Sequence, residues 1–374
     1  MTRPYEICTK CVMDTSDPDI VFDEQGVCNH CHTHDLQIKR KVFSGEEGEK
    51  KLKEIVDRIK DKNKNNDYDC VIGVSGGVDS TYVAYKVKQL GLRPLAVHLD
   101  NGWDSELAIK NVENICRKLE IDLHTIVLDW NEFRDLQLAF LKASTPDSEI
   151  PSDHAIVVSM LKTAKMTNVD NILTGYNVKT ETHLPAEWSQ GHFDWGYIKN
   201  VHKKFGKVKL KTFPHLNLAN FLFPPYSKKF INILDYIDFS KKDAMPILEK
   251  EIGWRYYGGK HYESIYTRWF QGYWLPTKFG YDKRRSHLSS LICAGEITRE
   301  SALEELKKAT YPEELQKEDT AYVLKKFNLT QEQLDEILNA PRKSYWDYAP
   351  YGRIYRTLLY RVLRKLYRAV KHRG

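Results

Sequence analysis

The sequence predicts an α/β protein: a doubly wound parallel sheet, with a small cysteine-paired module ahead of it and a helical region behind it. Three observations carry this. From Tyr68 onward, short apolar runs alternate with stretches of helical length, and strands separated by helices imply right-handed crossovers in a parallel sheet. Ahead of that region, Cys8-x2-Cys11 and Cys28-x2-Cys31 stand 16 residues apart in a polar stretch. Beyond about Asp238 the strand signals fade and helical patterns continue.

Residues 1–45 form the first unit. Two cysteine knuckles at this spacing are a strong zinc-ribbon signal. Each places two thiolates on one tight turn, and two turns make a closed tetrahedral shell of Cys8, Cys11, Cys28 and Cys31. A closed shell leaves no position for water, so the zinc is structural; iron in a rubredoxin-like site is the alternative. His30, His32 and His34 then read as spare polar residues. Residues 46–66 carry Leu52, Ile55, Val56 and Ile59 at helical spacing, a linking amphipathic helix.

Residues 67–250 hold the sheet. Cys70–Val74 is a short apolar strand, and a helix follows from about Asp79 to Leu90. Leu95–Leu99, Leu123–Val127 and Asn171–Thr174 are the next strands, with a helix from about Ser105 to Leu119 between the first two of these. Residues 251–350 are helical, with Thr330 and Gln333 placed as a capping box. Residues 351–374 form a basic tail with eight Lys or Arg and no acidic residue. Its apolar positions, among them Ile354, Leu358, Val362 and Leu366, keep helical spacing. Such a helix packs on its own domain with a solvated basic face, or docks on a membrane surface or a partner.

The most informative segment is Ser75-Gly76-Gly77-Val78-Asp79-Ser80, between the first strand and the next helix. Gly76 and Gly77 let the backbone approach an anion and reach positive φ. The helix N-terminus behind them offers unpaired N–H groups. Ser75 and Ser80 add hydroxyls, and the Asp79 carboxylate makes sense as a ligand of Mg2+ bridging phosphates. The GK[ST] ending of a Walker loop is absent.

This hexapeptide resembles the SGGxDS signature of the PP-loop ATP-pyrophosphatases, which split ATP into AMP and pyrophosphate. The resemblance implies that residues 75–80 grip the β,γ-pyrophosphate of ATP. Ligands of such sheets sit at the carboxyl ends of strands. Val97 and Leu99 are accordingly expected to flank adenine, with Asp100 and Asn101 near the nucleotide. The Thr174–Asn177 stretch, with Gly175, resembles the second nucleotide-contacting loop of the superfamily.

Two later blocks are dense in Gly, Lys, His and Glu: residues 257–264 and 275–287. Lys260, Lys283 and Arg284 are placed there as cations that neutralise departing pyrophosphate. The cysteine quartet, the loop and these blocks, in this order, resemble the N-acetyl sugar amidotransferase family, the WbpG/PseA type. The likeness runs from Cys8 to about Tyr348. It implies conversion of a sugar acetamido group into an acetamidino group, on nucleotide-linked or free sugars bound for surface polysaccharide (LPS O-antigen) or flagellin glycans.

Such a reaction consumes ammonia. Cys70 lies in a buried strand, Cys116 in a helix, and Cys293 has no evident paired His. A separate glutaminase subunit is therefore expected. By resemblance it is similar to the glutaminase of imidazole glycerol phosphate synthase, with a cyclase-like ammonia-channel subunit as a further companion.

Composition sets the remaining bounds. A net charge of +6 permits anionic ligands without demanding nucleic acid. No apolar run approaches the roughly 18 residues of a membrane span, and residues 1–4 lack a signal-peptide pattern, so a cytoplasmic protein is expected. The competing readings are a tRNA-modifying PP-loop enzyme, thiolase or lysidine-synthetase-like, and a zinc-ribbon scaffold with an inactive nucleotide fold.

Overall fold

Five parallel strands lie in the order β3-β2-β1-β4-β5. They are β1 (Cys70–Gly73), β2 (Pro94–Asp100), β3 (Asp122–Val127), β4 (Ile172–Thr174) and β5 (Phe230–Asn232). The computed structural model describes residues 3–222, 229–259 and 262–356. The central strand is set by its residues: Cys70, Val71 and Ile72 have no exposed surface, as a strand covered on both faces requires. Its neighbours are β2, with Gly73 opposite Val97, and β4, with Ile72 opposite Leu173. The chain order therefore reverses at β1, and the loops after β1 and β4 face each other across the crevice where such sheets bind ligands.

Helices cover both faces. On one side lie α2 (Gly45–Lys62), α3 (Val78–Gln89), α4 (Glu106–Leu119) and α10 (Lys241–Ile252), sharing a core with Ile72, Val83, Ile115, Leu248 and Trp254. The Leu52, Val56 and Ile59 stripe of α2 is buried there. On the other side, α6 (Ile150–Met166) packs on β1 and β2, while α5 (Trp130–Ala143) and α8 (Trp195–Phe205) build a second core, rich in aromatic side chains. The short α7 (Val178–Glu181) follows β4, and α9 (Leu218–Leu222) precedes β5.

The later helices are α11 (Ile265–Trp269), α12 (Leu275–Phe279), α13 (Lys283–Cys293), α14 (Arg299–Lys307), α15 (Glu313–Phe327) and α16 (Gln331–Asn339). They have no core of their own. Tyr266, Trp269, Phe270, Trp274, Val323 and Phe327 pack with Phe133, Phe140 and Tyr197 in one cluster. Burying each such side chain is worth about 1.5–3 kcal/mol, which fixes these helices on the sheet domain. A π-turn, Phe270–Trp274, joins α11 to α12. Thr330 and Gln333 form the reciprocal cap of α16.

Several elements have no counterpart in the sequence reading, among them α7, α8 and α9, and two show why. One is α1 (Asn29–Lys41), which buries only Cys31 and His34 and so has no apolar stripe to betray it. The other is β5, three residues long and too short to show a period. The basic tail lies outside the described residues from 357 on; Tyr351 and Gly352 still donate backbone N–H groups to Asp194, just ahead of α8. Among the described residues no helix is long and apolar enough to cross a membrane.

Candidate active site

The loop after β1 is held from behind. Gly76 has φ +79°, and a Cβ there would lie 2.6 Å from the Ala108 carbonyl oxygen, so only glycine fits. The Gly76 carbonyl accepts from Trp254 Nε1 at 2.8 Å and Asn111 Nδ2 at 3.3 Å. Within the loop, Ser75 Oγ accepts from the Gly77 N–H at 3.3 Å, and Ser80 Oγ accepts from the Ser75 N–H at 3.3 Å. Ser80 in turn donates to the Gly77 carbonyl. Gly77 is the N-cap of α3. The result is a narrow turn at the positive end of a helix, the arrangement that receives phosphate.

Asp79, in the first turn of α3, pairs with Lys241 Nζ at 2.8 Å. Its other oxygen, Oδ1, is buried without a hydrogen-bond partner. One carboxylate oxygen held by a cation and the other left bare suits a divalent ion, so Asp79 fits the Mg2+ expected of it. Burial works against the Lys241 ammonium, but Asp79, joined by Glu181 and Glu263, offsets it and the pKa stands above its ordinary value. Gly175, in the loop after β4, presses on the same point: a Cβ there would lie 3.0–3.2 Å from Asp79 atoms.

The block at 257–264 is brought onto this loop. Tyr257 Oη lies 3.2 Å, and a Glu263 carboxylate oxygen 3.8 Å, from the position a Gly77 Cβ would take. Glu263 accepts the Ser105 N–H at 2.8 Å through its carbonyl, and Ser264 is bridged to Asp104. Asp104 also holds His98 of β2, Nε2 to Oδ2 at 3.2 Å, while His98 Nδ1–H donates to the Val74 carbonyl at 3.0 Å. Lys260 lies outside the described residues.

The other expected nucleotide residues sit around the crevice in different ways. Val97 accepts the Val74 N–H, and its side chain is buried with Val71, Met160 and Ile172. Leu99 packs against the aromatic core. Asp100 shapes the turn by accepting the Gly102 N–H at 2.9 Å.

Lys283 and Arg284 part company. The Arg284 guanidinium binds Asp282 and the carbonyls of Glu305, Lys308 and Ala309, a staple between helices rather than a cation free for pyrophosphate. Lys283 instead faces a second polar group that the sequence reading missed. Glu149, ahead of α6, accepts from Thr267 Oγ1 at 2.5 Å and Gln271 Nε2 at 3.0 Å. Burial pushes its carboxyl up, Lys283 opposes this, and Asp147 and Asp153 add to it. His192 lies 3.3 Å from Asp153 and 3.8 Å from Asp147. Asn101, beyond β2, reaches Ser152 of α6 at 3.3 Å. Thr267 is one helical turn past the Ser264 cap, so this polar group adjoins the phosphate loop.

The four cysteines of the N-terminal module converge. Their sulfurs all lie within 4.8 Å of one another, with Cys8–Cys31 at 3.9 Å, Cys11–Cys28 at 3.7 Å and Cys28–Cys31 at 3.6 Å. Tetrahedral zinc with Zn–S bonds of about 2.3 Å sets S–S edges near 3.8 Å. Backbone N–H groups of Cys11, Met13 and Cys28 point at the sulfurs, as thiolates demand. All four residues are fully buried. The donor set fits a structural zinc. The module packs through α1 on α7 and α13, and Trp188 stacks on Tyr281 beside it.

Comparison with known proteins follows this division. Residues 51–145 match the family model of NAD synthase. Residues 263–365 match that of the LPS biosynthesis protein WbpG-like, C-terminal domain. A tRNA-specific 2-thiouridylase MnmA of Pseudoalteromonas translucida is 26% identical over 210 residues, 50% of this chain and 54% of its own length. The chain thus spans about half the length of that relative. An uncharacterized protein of Methanocaldococcus jannaschii is 22% identical over 83% of this chain and 96% of its own. Among solved structures, the NH3-dependent NAD synthetase of Campylobacter jejuni aligns at 16% identity, with TM-score 0.31, over 79% of this chain and 98% of that one. The NMN synthetase of Francisella tularensis aligns at 19% identity, with TM-score 0.28, over 35% and 56%. A segment that matches NAD synthase and carries the phosphate loop, and a segment that matches the WbpG-like C-terminal domain, thus lie in one chain, and together they support the resemblance to the WbpG/PseA type within the PP-loop superfamily.

Proposed function

We propose that the chain is an AMP-forming, ATP-dependent amidotransferase that converts the acetamido group of a nucleotide-linked or free sugar into an acetamidino group, in the making of a surface polysaccharide or flagellin glycan. The observation that carries this is the meeting of the two matched segments: the WbpG-like segment begins at Glu263, whose carboxylate stands beside Gly77.

An amide oxygen is a poor leaving group. Its attack on the α-phosphate of ATP forms an O-adenylyl imidate and releases pyrophosphate. Ammonia then adds to the imidate carbon, AMP departs with the former amide oxygen, and loss of a proton leaves the amidine. The loop N–H groups and the α3 N-terminus hold the pyrophosphate oxygens. Lys241 opposes the charge that grows on them. Asp79 would hold Mg2+, and the ion would supply further charge neutralisation. The Glu149, Lys283, His192 and Asn101 group is the place for sugar hydroxyls and the acetamido group, its donors and acceptors gathered around Thr267, one turn past the Ser264 cap.

Ammonia comes from a partner glutaminase in this reading, with a cyclase-like subunit as its companion. Cys293 does have a histidine beside it, His183 at 3.6 Å, which the sequence did not reveal. The pair abuts the cysteine cluster and His183 is fully buried, so it belongs with that cluster and not with the crevice at the phosphate loop. Sulfur transfer to tRNA is the competing reading. Cys116 packs with the sheet core and Cys293 with the cysteine module, so the two do not form a pair at the nucleotide loop.

The test is incubation of the purified protein with ATP, ammonia and UDP-N-acetyl sugars. AMP release with a product mass showing oxygen exchanged for NH supports the proposal. Sulfur incorporated into tRNA, with every sugar unchanged, refutes it.

A further inference from the structure

Beside the four-cysteine cluster stands a second ligand set that shares one of its sulfurs. Cys293, near the end of α13, lies with its Sγ 3.7 Å from Cys31 Sγ. His183, just after α7, has Nε2 3.6 Å from Cys293 Sγ. The three ligand atoms all fall within 4.8 Å of one another. Zinc with Zn–S bonds of about 2.3 Å and Zn–N of about 2.0–2.1 Å sets S–S edges near 3.8 Å and S–N edges near 3.6 Å.

The hydrogen bonds at Ser290 favour the tautomer that leaves His183 Nε2 available. Ser290 Oγ donates its proton to the Ser286 carbonyl at 3.2 Å. Its oxygen therefore accepts from His183 Nδ1–H, 3.0 Å away. Nε2 is left as the bare nitrogen, turned toward Cys293. A metal-bound histidine is oriented in this way, by a partner on its other nitrogen. Proton counting points the same way. With Cys31 a thiolate, two acceptors, Cys31 Sγ and His183 Nε2, face Cys293, which has a single proton to give. One buried lone pair is left over, and a cation would satisfy it.

We propose that Cys31, Cys293 and His183 bind a second zinc, with the Cys31 thiolate bridging it to the zinc of the four-cysteine site and the fourth position open to solvent or a small ligand. The second ion reduces the negative charge that a tetrathiolate centre concentrates in a buried place. It also ties α13 and the segment after α7 directly to the N-terminal module. The bridging arrangement rests on the structural zinc argued above, whereas the three-ligand set stands on its own contacts.

The experiment is elemental analysis of the full chain, purified from zinc-supplemented cells without chelators, as wild type, Cys293→Ser, His183→Gln and Cys8→Ser. The expected result is about two zinc ions per chain in the wild type and about one in Cys293→Ser and in His183→Gln. Cobalt-substituted protein gives a second readout. Two cobalt ions sharing a thiolate couple magnetically, so the spin signal per cobalt rises in Cys293→Ser. One metal per wild-type chain, unchanged in Cys293→Ser, overturns the second site and leaves the first standing. No metal in the wild type overturns both. Circular dichroism melts of Cys293→Ser, expected to stay cooperative, separate metal loss from misfolding.

Discussion

Replacing Lys241 by Met tests whether the pair at the phosphate loop serves chemistry or only folding. The Lys241 ammonium lies 2.8 Å from Asp79 Oδ2, and both side chains are 23% exposed. The methionine keeps the length of the stem and removes the charge. Asp79, whose Oδ1 already lacks a partner, then loses its counter-ion on Oδ2. Breaking a buried pair costs about 3–5 kcal/mol; with this much solvent at hand, about 1–2 kcal/mol is expected. The effect on turnover should be larger. Removing one preorganised charge from a developing phosphate anion lowers kcat by about 10²–10³. Lys241→Arg keeps the charge and should recover part of that loss. The assay is AMP release at saturating ATP with ammonia, run beside a chemical denaturation curve. A Lys241→Met protein with a lowered denaturation midpoint but kcat within about twofold of wild type would refute the reasoning, since a tenfold change needs only about 1.4 kcal/mol of lost transition-state binding.

Further outcomes can be measured on the same protein. Gly76→Ala places a side chain at φ +79° and 2.6 Å from a backbone oxygen, so it should lose about 1–3 kcal/mol of stability together with AMP release; an unchanged denaturation midpoint would contradict the loop geometry. Cys8→Ser removes a sulfur that also accepts the Cys11 and Cys28 N–H groups, and should abolish metal at the four-cysteine site and expose the N-terminal module to protease, as elemental analysis and limited proteolysis would show. His154 is buried neutral, its Nδ1–H given to the His192 carbonyl and its Nε2 accepting the Leu216 N–H, and burial lowers its pKa from 6.5 to about 4. The unfolded chain therefore binds the proton first on acidification, so stability is full above pH 6.5 and is lost as pH falls toward 4, by up to about 3 kcal/mol. Melting temperatures of wild type and His154→Gln across that window check this, the variant showing the shallower dependence.

Much of the sheet was legible because its signals are local. Cys70–Ile72 is apolar throughout, and Gly76-Gly77 sits between that strand and a helix, so the phosphate loop could be placed before any coordinate was known. The cysteine quartet was legible for the same reason, as each knuckle is a four-residue turn. What escaped were partnerships across the chain. Lys241 follows a serine that caps α10, and nothing near it in sequence points to Asp79. Glu149 is an acidic residue before a helix, and only the packing of α11 and the π-turn brings Thr267 and Gln271 to it. Arg284 was misjudged because a cation in a dense polar block looks the same whether it meets a ligand or, as here, an aspartate and three carbonyls. The helical α1 was hidden because its buried face consists of Cys31 and His34, residues that a hydrophobic period does not count.

These long-range contacts join the two ends of the chain at one place. His34 on α1 bonds the Lys179 carbonyl of α7 at 3.2 Å, and α7 directly continues the loop that presses Gly175 on Asp79. Arg285 on α13 pairs with Asp14 at 3.0 Å and donates to the Val12 carbonyl at 2.9 Å. Arg299, opening α14, donates to the Cys11 and Cys8 carbonyls, both at 2.9 Å. The N-terminal module is thus a wedge between the nucleotide loop after β4 and the helices of the WbpG-like segment. A rigid metal-centred wedge suits a site assembled from two segments, because a displacement of about 1 Å between reacting groups can cost about 10²-fold in rate. The zinc of the four-cysteine site, with no catalytic position of its own, would then act on the chemistry through geometry, holding Asp79 and the Glu149 group at a fixed separation.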